Sequence, residues 1–208
     1  LGQYPAGAGE AYGFCLGQDS GGEIFAYLVT KGGLVREHVL NFEADTPKVT
    51  SSREYQLAGQ AEGCVVDDRT GRLYVGEEEA AIWLFDLNSD SFQPQRFANV
   101  NGRELVGDVE GLAIAPDGAN AGYLVASSQG DNAYVLYDLS TGRFAFRFRL
   151  VDGAVDGTSE TDGIEVISGS FGPDYPGGLM VVQDGSNEGR TQNFKLISWQ
   201  KILTAMAQ

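Results

Sequence analysis

One unit recurs four times along the chain at a nearly constant interval. Each copy begins with a polar or aromatic residue and a glycine, then runs strand, turn, strand; the copies start at Tyr12, Glu62, Glu110 and Asp162. These starts lie 50, 48 and 52 residues apart. A unit of about 50 residues with three or four strands is typical of one blade of a β-propeller. A sandwich or barrel is the alternative all-β fold, but neither explains a fixed period.

The remaining strands follow the same repeat. A third apolar strand is predicted in each copy, near Arg36, Trp83, Tyr134 and Phe194. A fourth strand is predicted over 143–150, and the only helical pattern spans 199–206. We therefore predict an all-β fold, with 1–208 as a single propeller domain. Its predicted blades are 10–55, 56–104, 105–154 and 155–208.

Four blades leave two possibilities, because either they close into a ring or they belong to a larger one. The sequence begins at Leu1 with neither an initiator methionine nor a signal peptide. We expect a processed, truncated or partial chain, which favours four blades of a larger ring.

The chain is strongly acidic, with a formal charge of −15. Nucleic acid and anionic membranes are therefore not expected as partners, since both require a basic face. No apolar run reaches the length of about 18 residues that a membrane-spanning helix needs. Cys15 and Cys64 are the only cysteines. They could be buried thiols or one disulfide; their similar places in the repeat favour the disulfide, and with it a secreted or periplasmic protein.

The first residue of each repeat lies where a blade's inner strand lines the central channel. The residues expected around the channel mouth are therefore Tyr12, Glu62, Glu110 and Asp162. Asp108 points the same way, because alternate residues of a strand share a face. The turns that leave the second strands add another set: Lys31, Glu78, Gln129 and Asp184.

An acidic loop precedes the last inner strand. Asp156-Gly157-Thr158-Ser159-Glu160-Thr161-Asp162-Gly163 contains three carboxylates and no apolar residue. Taken alone, it is more simply read as a solvated loop with Asx and Ser/Thr turns. Its last aspartate, however, is the residue that the fourth repeat places at the channel mouth. Its first, Asp156, adds a further carboxylate just upstream.

About six carboxylates in one bowl repel one another unless a cation neutralises them, since two unit charges 4 Å apart cost about 4 kcal/mol at an effective dielectric near 20. Ca²⁺ prefers such oxygen ligands and binds roughly six to eight of them. The alternative is that each acidic residue simply begins a strand. That reading explains the glycines but not the acidic character of the ring.

Other polar residues have simpler interpretations. His38 is the only histidine, so a Ser-His-Asp triad and a zinc site with several histidines are both unsupported. We expect His38 and the two tryptophans to serve packing or the surface. Asp67 and Asp68 are expected in a solvated turn, and Lys195 and Arg190 at the surface.

The strings EGCVVDD, GRLYVGEE, VEGLAI, GYLVASSQG, DGTSETDGIEV, YPGGLMVVQDG and QNFKLISW resemble the β-propeller phytases, the calcium-dependent alkaline type. The resemblance covers essentially the whole chain and corresponds to the C-terminal four blades of a six-bladed ring. It implies a phosphomonoester hydrolase that acts on phytate (myo-inositol hexakisphosphate) through several Ca²⁺ ions. The substrate would be phytate, as its calcium complex.

Carried over motif by motif, the resemblance assigns the calcium ligands Glu62, Glu78, Asp108, Glu110, Gln129, Asp156 and Asp162. Four of these would also be catalytic: Glu62, Glu110, Asp156 and Asp162. Tyr12 and Lys31 would contact substrate phosphate, and Asp184 resembles a further calcium site that stabilises the ring. Glu160 stands where the family commonly has aspartate.

The resemblance also implies basic and acidic site residues from two N-terminal blades, which have no counterpart in this sequence. Those blades would belong to the same or another polypeptide. The implied mechanism is attack of a water that calcium positions or activates, without a covalent intermediate. The alternative functions are a non-catalytic propeller that binds calcium with a phosphorylated ligand or a protein partner, and a purely structural scaffold.

Overall fold

A computed structural model of the chain describes residues 4–42, 48–187 and 189–208. It divides into two compact units, Leu1–Asn99 and Val100–Gln208. The all-β prediction is confirmed, because the described strands form four antiparallel sheets. That these sheets belong to a six-bladed ring stays a prediction. Leu1, on which the expectation of a processed N-terminus depends, lies outside the described residues.

The first unit contains two four-stranded sheets whose strands follow chain order. Sheet 1 comprises β1 Ala11–Gln18, β2 Ile24–Thr30, β3 Leu34–Asn41 and β4 Lys48–Gln56. Sheet 2 comprises β5 Ala61–Asp67, β6 Arg72–Glu77, β7 Ala81–Asp86 and β8 Gln95–Asn99. The middle strands β2 and β6 are buried along most of their length, so their sequences read as continuous apolar runs instead of alternating.

The second unit contains the other two sheets. Sheet 3 comprises β9 Val109–Asp117, β10 Ala121–Ser128, β11 Ala133–Asp138 and β12 Arg143–Phe148, with a short 3-10 helix Gln129–Asp131 between β10 and β11. Sheet 4 comprises β13 Ile164–Ile167, β14 Leu179–Asp184 and β15 Asn193–Ser198. Helix α1, Trp199–Met206, follows directly and confirms the predicted helix. It buries Trp199 and Ile202 against the core of this unit.

Each unit has its own apolar core. In the first, residues from sheets 1 and 2 pack together, including Tyr27, Val29, Val75 and Phe85. In the second, the core joins sheets 3 and 4 with α1. Cys15 on β1 and Cys64 on β5 form a disulfide, so the sequence prediction is confirmed. The bond fastens the first strand of sheet 1 to the first strand of sheet 2.

One expectation about the polar residues of the first unit needs correction. Asp67 was expected in a solvated turn, but it is only 3% exposed and accepts hydrogen bonds from the Arg69 guanidinium, with Nε 2.8 Å from Oδ1. A buried carboxylate requires a cationic partner, and Arg69 in the same turn supplies it. Its neighbour Asp68 is exposed, as expected. His38 is buried within sheet 1, in agreement with a packing role.

Candidate functional site

The first strands of sheets 1 and 2 approach closely where the repeat begins. A side chain added at Gly13 would overlap the carbonyl oxygen of Glu62. Glycine therefore follows Tyr12 because only a residue without Cβ lets β1 come this near to β5. The contact places Tyr12 and Glu62, two predicted ring residues, on neighbouring strands of the first unit.

Glu62 and Glu78 present two carboxylates to the same small volume. Carboxylate oxygens of these residues lie within 4.8 Å of one another. Glu78 is buried, and its Oε1 accepts a hydrogen bond of 2.5 Å from Gln60 Nε2. The Glu78 backbone also donates to the Gln60 carbonyl at 3.0 Å. Strand β5 thus supplies Glu62, and Gln60, directly before the strand, supplies the side-chain amide that orients Glu78.

Lys31 and Tyr12 form a cation–π pair in the same unit. The Lys31 Nζ lies 5.2 Å from the centre of the Tyr12 ring, a cation–π distance. The Lys31 backbone donates to the Glu10 carbonyl at 3.0 Å, which fixes the end of the β1–β2 hairpin. Lys31 is exposed and Tyr12 is 39% exposed, so the pair can meet an anion from solvent.

The second unit repeats the close approach between β9 and β13. Gly111 N donates to the Asp162 carbonyl at 2.6 Å, and an added Cβ at Gly111 would overlap that oxygen. Gln129 Nε2 donates to Asp162 Oδ1 at 2.7 Å, and Gln129 N to the Asp108 carbonyl at 2.9 Å. Four predicted ligands therefore lie on connected segments of this unit: Asp108, Glu110, Gln129 and Asp162.

Partial desolvation changes the electrostatics of Asp162, although the residue as a whole is exposed. Desolvation raises the pKa of its carboxyl, and the hydrogen bond from Gln129 partly offsets that rise. Its backbone N donates to Gln183 Oε1 at 2.7 Å, so two glutamine side chains hold this residue. Glu110, in contrast, is buried, with 5% of its surface exposed. Partly desolvated carboxylates favour the approach of a cation.

Asp156 and Asp184 both form ion pairs with the side chain of Lys195. Lys195 Nζ lies 2.8 Å from Asp156 Oδ1 and 3.2 Å from Asp184 Oδ2. The hydrogen bond from Lys195 holds the pKa of Asp156 below its ordinary value. Lys195 was expected at the surface, which is wrong, since its side chain is only 11% exposed. The attraction of two carboxylates outweighs its desolvation.

An oxygen-rich cavity of about 190 Å³ adjoins this pair. Its lining includes Asp152, Asp156 and Asp184 together with Thr158, Ser159 and Ser186. Carboxylate and hydroxyl oxygens are the donors that a hard divalent cation accepts. Asp156 and Asp184, which the sequence assigned to separate calcium sites, therefore border one space.

Three comparisons with known proteins bear on identity. A family model described as Phytase matches residues 5–208. The chain belongs to the phytase family. The 3-phytase of Bacillus subtilis (strain 168) is 40% identical over 205 residues, which are 93% of this chain and 53% of that protein. The chain thus spans about half the length of this curated relative.

A solved structure shows the fold alone. A chain from the crystal structure of the mitotic checkpoint complex matches 89% of this chain with a TM-score of 0.55 and 14% identity, over 47% of its own length. Within the described part of this phytase-family chain, no helix is both long and apolar enough to cross a membrane.

Sequence patterns did not assign three residues that contact the predicted ligands. Gln60 and Gln183 orient Glu78 and Asp162. Gln60 could have been found, because it lies two residues before Glu62 and immediately ahead of the strand. The role of Lys195 was not predictable because its sequence neighbours are apolar. Phe194 and Leu196 suggest an inward apolar face, yet they are 71% and 56% exposed, and Lys195 points the other way.

Proposed function

We propose that this protein is a calcium-dependent phosphomonoester hydrolase that acts on phytate by attack of water on phosphorus. Family membership and the 3-phytase relative support the reaction class. The observation that carries the proposal lies in the first unit. There, the paired carboxylates of Glu62 and Glu78 adjoin the strand that bears Tyr12, whose ring contacts Lys31.

The donor sets fit calcium. Glu62 and Glu78 bring two carboxylates within reach of one ion, and a pair this close gains from a cation between them. In the second unit, Asp162 with Gln129, and Asp156 with Asp184, offer carboxylate and amide oxygens. All are hard ligands with adaptable geometry, as Ca²⁺ requires. When bound, calcium would neutralise the carboxylates, polarise the scissile phosphoryl group and activate water.

The protein's own residues would divide the remaining work. Lys31 would bind a phosphate oxygen as a point charge, and the Tyr12 ring would fix the direction of the ammonium group. Gln60 and Gln183 would keep Glu78 and Asp162 oriented. One phosphate would be held by Lys31, and a second would lie beside it on the calcium that the carboxylates hold. This arrangement favours substrates with adjacent phosphates, such as phytate in its calcium complex.

The whole enzyme would contain further β-structure from two N-terminal blades, on the same or another polypeptide. Two exposed apolar strips support this proposal. Phe14 and Leu16 on β1 are 63% and 55% exposed, and Phe194 and Leu196 on β15 are exposed to a similar degree. Contiguous apolar surface of this kind marks an interaction face. The Cys15–Cys64 disulfide supports a secreted or periplasmic location.

The test is phosphate release from phytate at saturating calcium and after chelation with EGTA. We expect turnover that stops on chelation and returns when calcium is restored. Glu110→Gln and Asp156→Asn should each lower kcat/KM at least about 100-fold, the usual order for removing one electrostatic group from an active site. Asp117→Asn is the matched control, since it removes a carboxylate from the exposed end of the strand that carries Glu110.

Release that persists after complete chelation would contradict the calcium mechanism. Calcium-dependent binding of phytate without any release would instead support the non-catalytic alternative.

A further inference from the structure

The acidic loop has no strand or helix of its own. Between the end of β12 at Phe148 and the start of β13 at Ile164, the backbone is irregular. Asp156 and Asp162 both lie in this segment. A polar, irregular loop would lose considerable conformational entropy on ordering, so its shape must depend on specific side-chain contacts.

One buried hydroxyl contacts the loop at two places. The Tyr134 hydroxyl oxygen lies 2.7 Å from Thr158 Oγ1 and 2.8 Å from Thr161 Oγ1. Tyr134 belongs to β11, and its side chain is 1% exposed. A phenol has one proton, so it donates to one threonine and accepts from the other. Burial raises the pKa of Tyr134, which keeps that proton in place.

The two threonines are next to the predicted ligands. Thr161 directly precedes Asp162, and Thr158 follows Asp156 by two residues. Thr161 is itself 3% exposed, and its carbonyl accepts a hydrogen bond of 2.8 Å from Ser127 Oγ. Thr158 N donates to the Leu150 carbonyl at 3.2 Å. The hydroxyl of Tyr134 thus ties together both ends of the segment that separates the two aspartates.

We infer that Tyr134 is a positioning residue for calcium, which sets the separation of Asp156 and Asp162 through Thr158 and Thr161. The inference rests on the proposed function, because it presupposes that these aspartates bind calcium. Tyr134 would not itself coordinate the calcium ion. Partners that orient metal ligands typically change affinity by about 10–100-fold when removed.

A purely structural role predicts a different result. A tyrosine that only fills the core and satisfies two threonines would affect the free energy of unfolding and leave calcium affinity of the folded protein unchanged. A positioning residue changes the affinity itself. At saturating calcium, kcat should return towards the wild-type value, because every ligand is still present. The calcium concentration for half-maximal activity should rise.

The experiment is a calorimetric calcium titration of the wild-type protein and Tyr134→Phe, well below their melting temperatures. We expect a Kd about 10-fold or more higher for Tyr134→Phe. Tyr123→Phe is the matched control, because Tyr123 lies on the adjacent strand β10 with its ring against Trp199, and we expect its Kd within about two-fold of wild type.

The outcomes separate the two levels of the proposal. If wild type binds no calcium, the proposed function fails. If wild type binds calcium and Tyr134→Phe binds it equally well, the positioning role is wrong and the proposed function stands. Should Tyr134→Phe not fold, Thr161→Val removes the same contact from the loop side and keeps the tyrosine. Unchanged affinity in that variant would equally overturn the inference.

Discussion

The two units join neighbouring sheets in different ways. In the first, Gly13 lets β1 approach Glu62, and the Cys15–Cys64 disulfide fastens the strands covalently. In the second, Gly111 permits the same approach, and hydrogen bonds complete the junction: Gly111 N to the Asp162 carbonyl, and Ser127 Oγ to the Thr161 carbonyl. The shared glycine shows that close backbone contact is the common requirement, whereas the fastening differs.

The units also use their lysines differently. Lys31 is exposed against Tyr12, where an anion from solvent can reach it. Lys195 lies between Asp156 and Asp184 and neutralises carboxylates of its own unit. The first unit therefore presents Lys31 to a ligand, whereas in the second unit Lys195 pairs with carboxylates of the acidic loop and of β14. Each difference can be tested by removing the contact that defines it.

The disulfide should have the largest effect. Replacing both Cys15 and Cys64 with serine removes a cross-link between residues 49 apart in sequence. We expect a loss of about 4 kcal/mol in the free energy of unfolding, measured with guanidinium chloride, because the denatured chain regains the entropy of an open loop. Reduction of the wild-type protein should reproduce the loss. Equal stability of oxidised and reduced protein would show that packing alone holds β1 to β5.

Gly111→Ala should have the next largest effect. Its Cβ would overlap the Asp162 carbonyl oxygen, so β9 and β13 must separate and the hydrogen bond between them weakens. We expect a loss of about 3 kcal/mol in urea unfolding. Gly163→Ala is the control, since nothing lies within 4 Å of its Cβ position. A similar cost at both glycines would mean that close approach is not what selects glycine at Gly111.

Lys195→Met should have a smaller effect that depends on calcium. The substitution preserves much of the apolar side chain but leaves Asp156 and Asp184 without their shared ammonium group. We expect a lower melting temperature without calcium, and tighter calcium binding, because the ion no longer competes with an internal cation. Lys201→Met, on exposed surface of α1, is the control. Weaker calcium binding by Lys195→Met would contradict competition.

Tyr27→Phe should have the smallest effect, and it is the counterpart of Tyr134→Phe in the other unit. Tyr27 donates to Glu37 Oε2 at 3.0 Å, while Arg53 binds both oxygens of that carboxylate. Loss of one hydrogen bond should cost about 1 kcal/mol. Calcium affinity should not change, because the Tyr27 hydroxyl donates to Glu37, which is not a predicted calcium ligand. A change in calcium affinity would show that the two tyrosines are not functionally distinct.

The Glu37 network also has a predicted pH dependence. Burial alone would raise the pKa of Glu37, but hydrogen bonds from Arg53, Ser52 and Tyr27 outweigh it and hold the pKa below its ordinary 4.5. Its stabilising contribution is therefore complete above that value and is lost as the pH falls through the lower folded pKa. In Tyr27→Phe the loss should begin at higher pH, which acid unfolding curves would detect.

Much of the architecture follows from the repeat. The 50-residue period predicted the strands, and the similar places of Cys15 and Cys64 in it predicted their disulfide. The charges that compensate the acidic residues were not predictable in the same way. Asp67 and Lys195 are buried by partners whose proximity depends on strand register and turn shape. Because many strands are covered on both faces, alternation does not show which side chains point inward.

The central claim is that calcium held by the predicted carboxylate ligands, among them Glu62 and Glu78, creates the phosphate site. Its most direct test is the binding of inorganic phosphate at zero and at saturating calcium, in wild type and in the Glu62→Gln/Glu78→Gln double variant. We predict at least a 10-fold rise in phosphate affinity with calcium for wild type, about 1.4 kcal/mol of coupling, and little rise for the double variant. Equal phosphate affinity with and without calcium in the wild-type protein would contradict the claim.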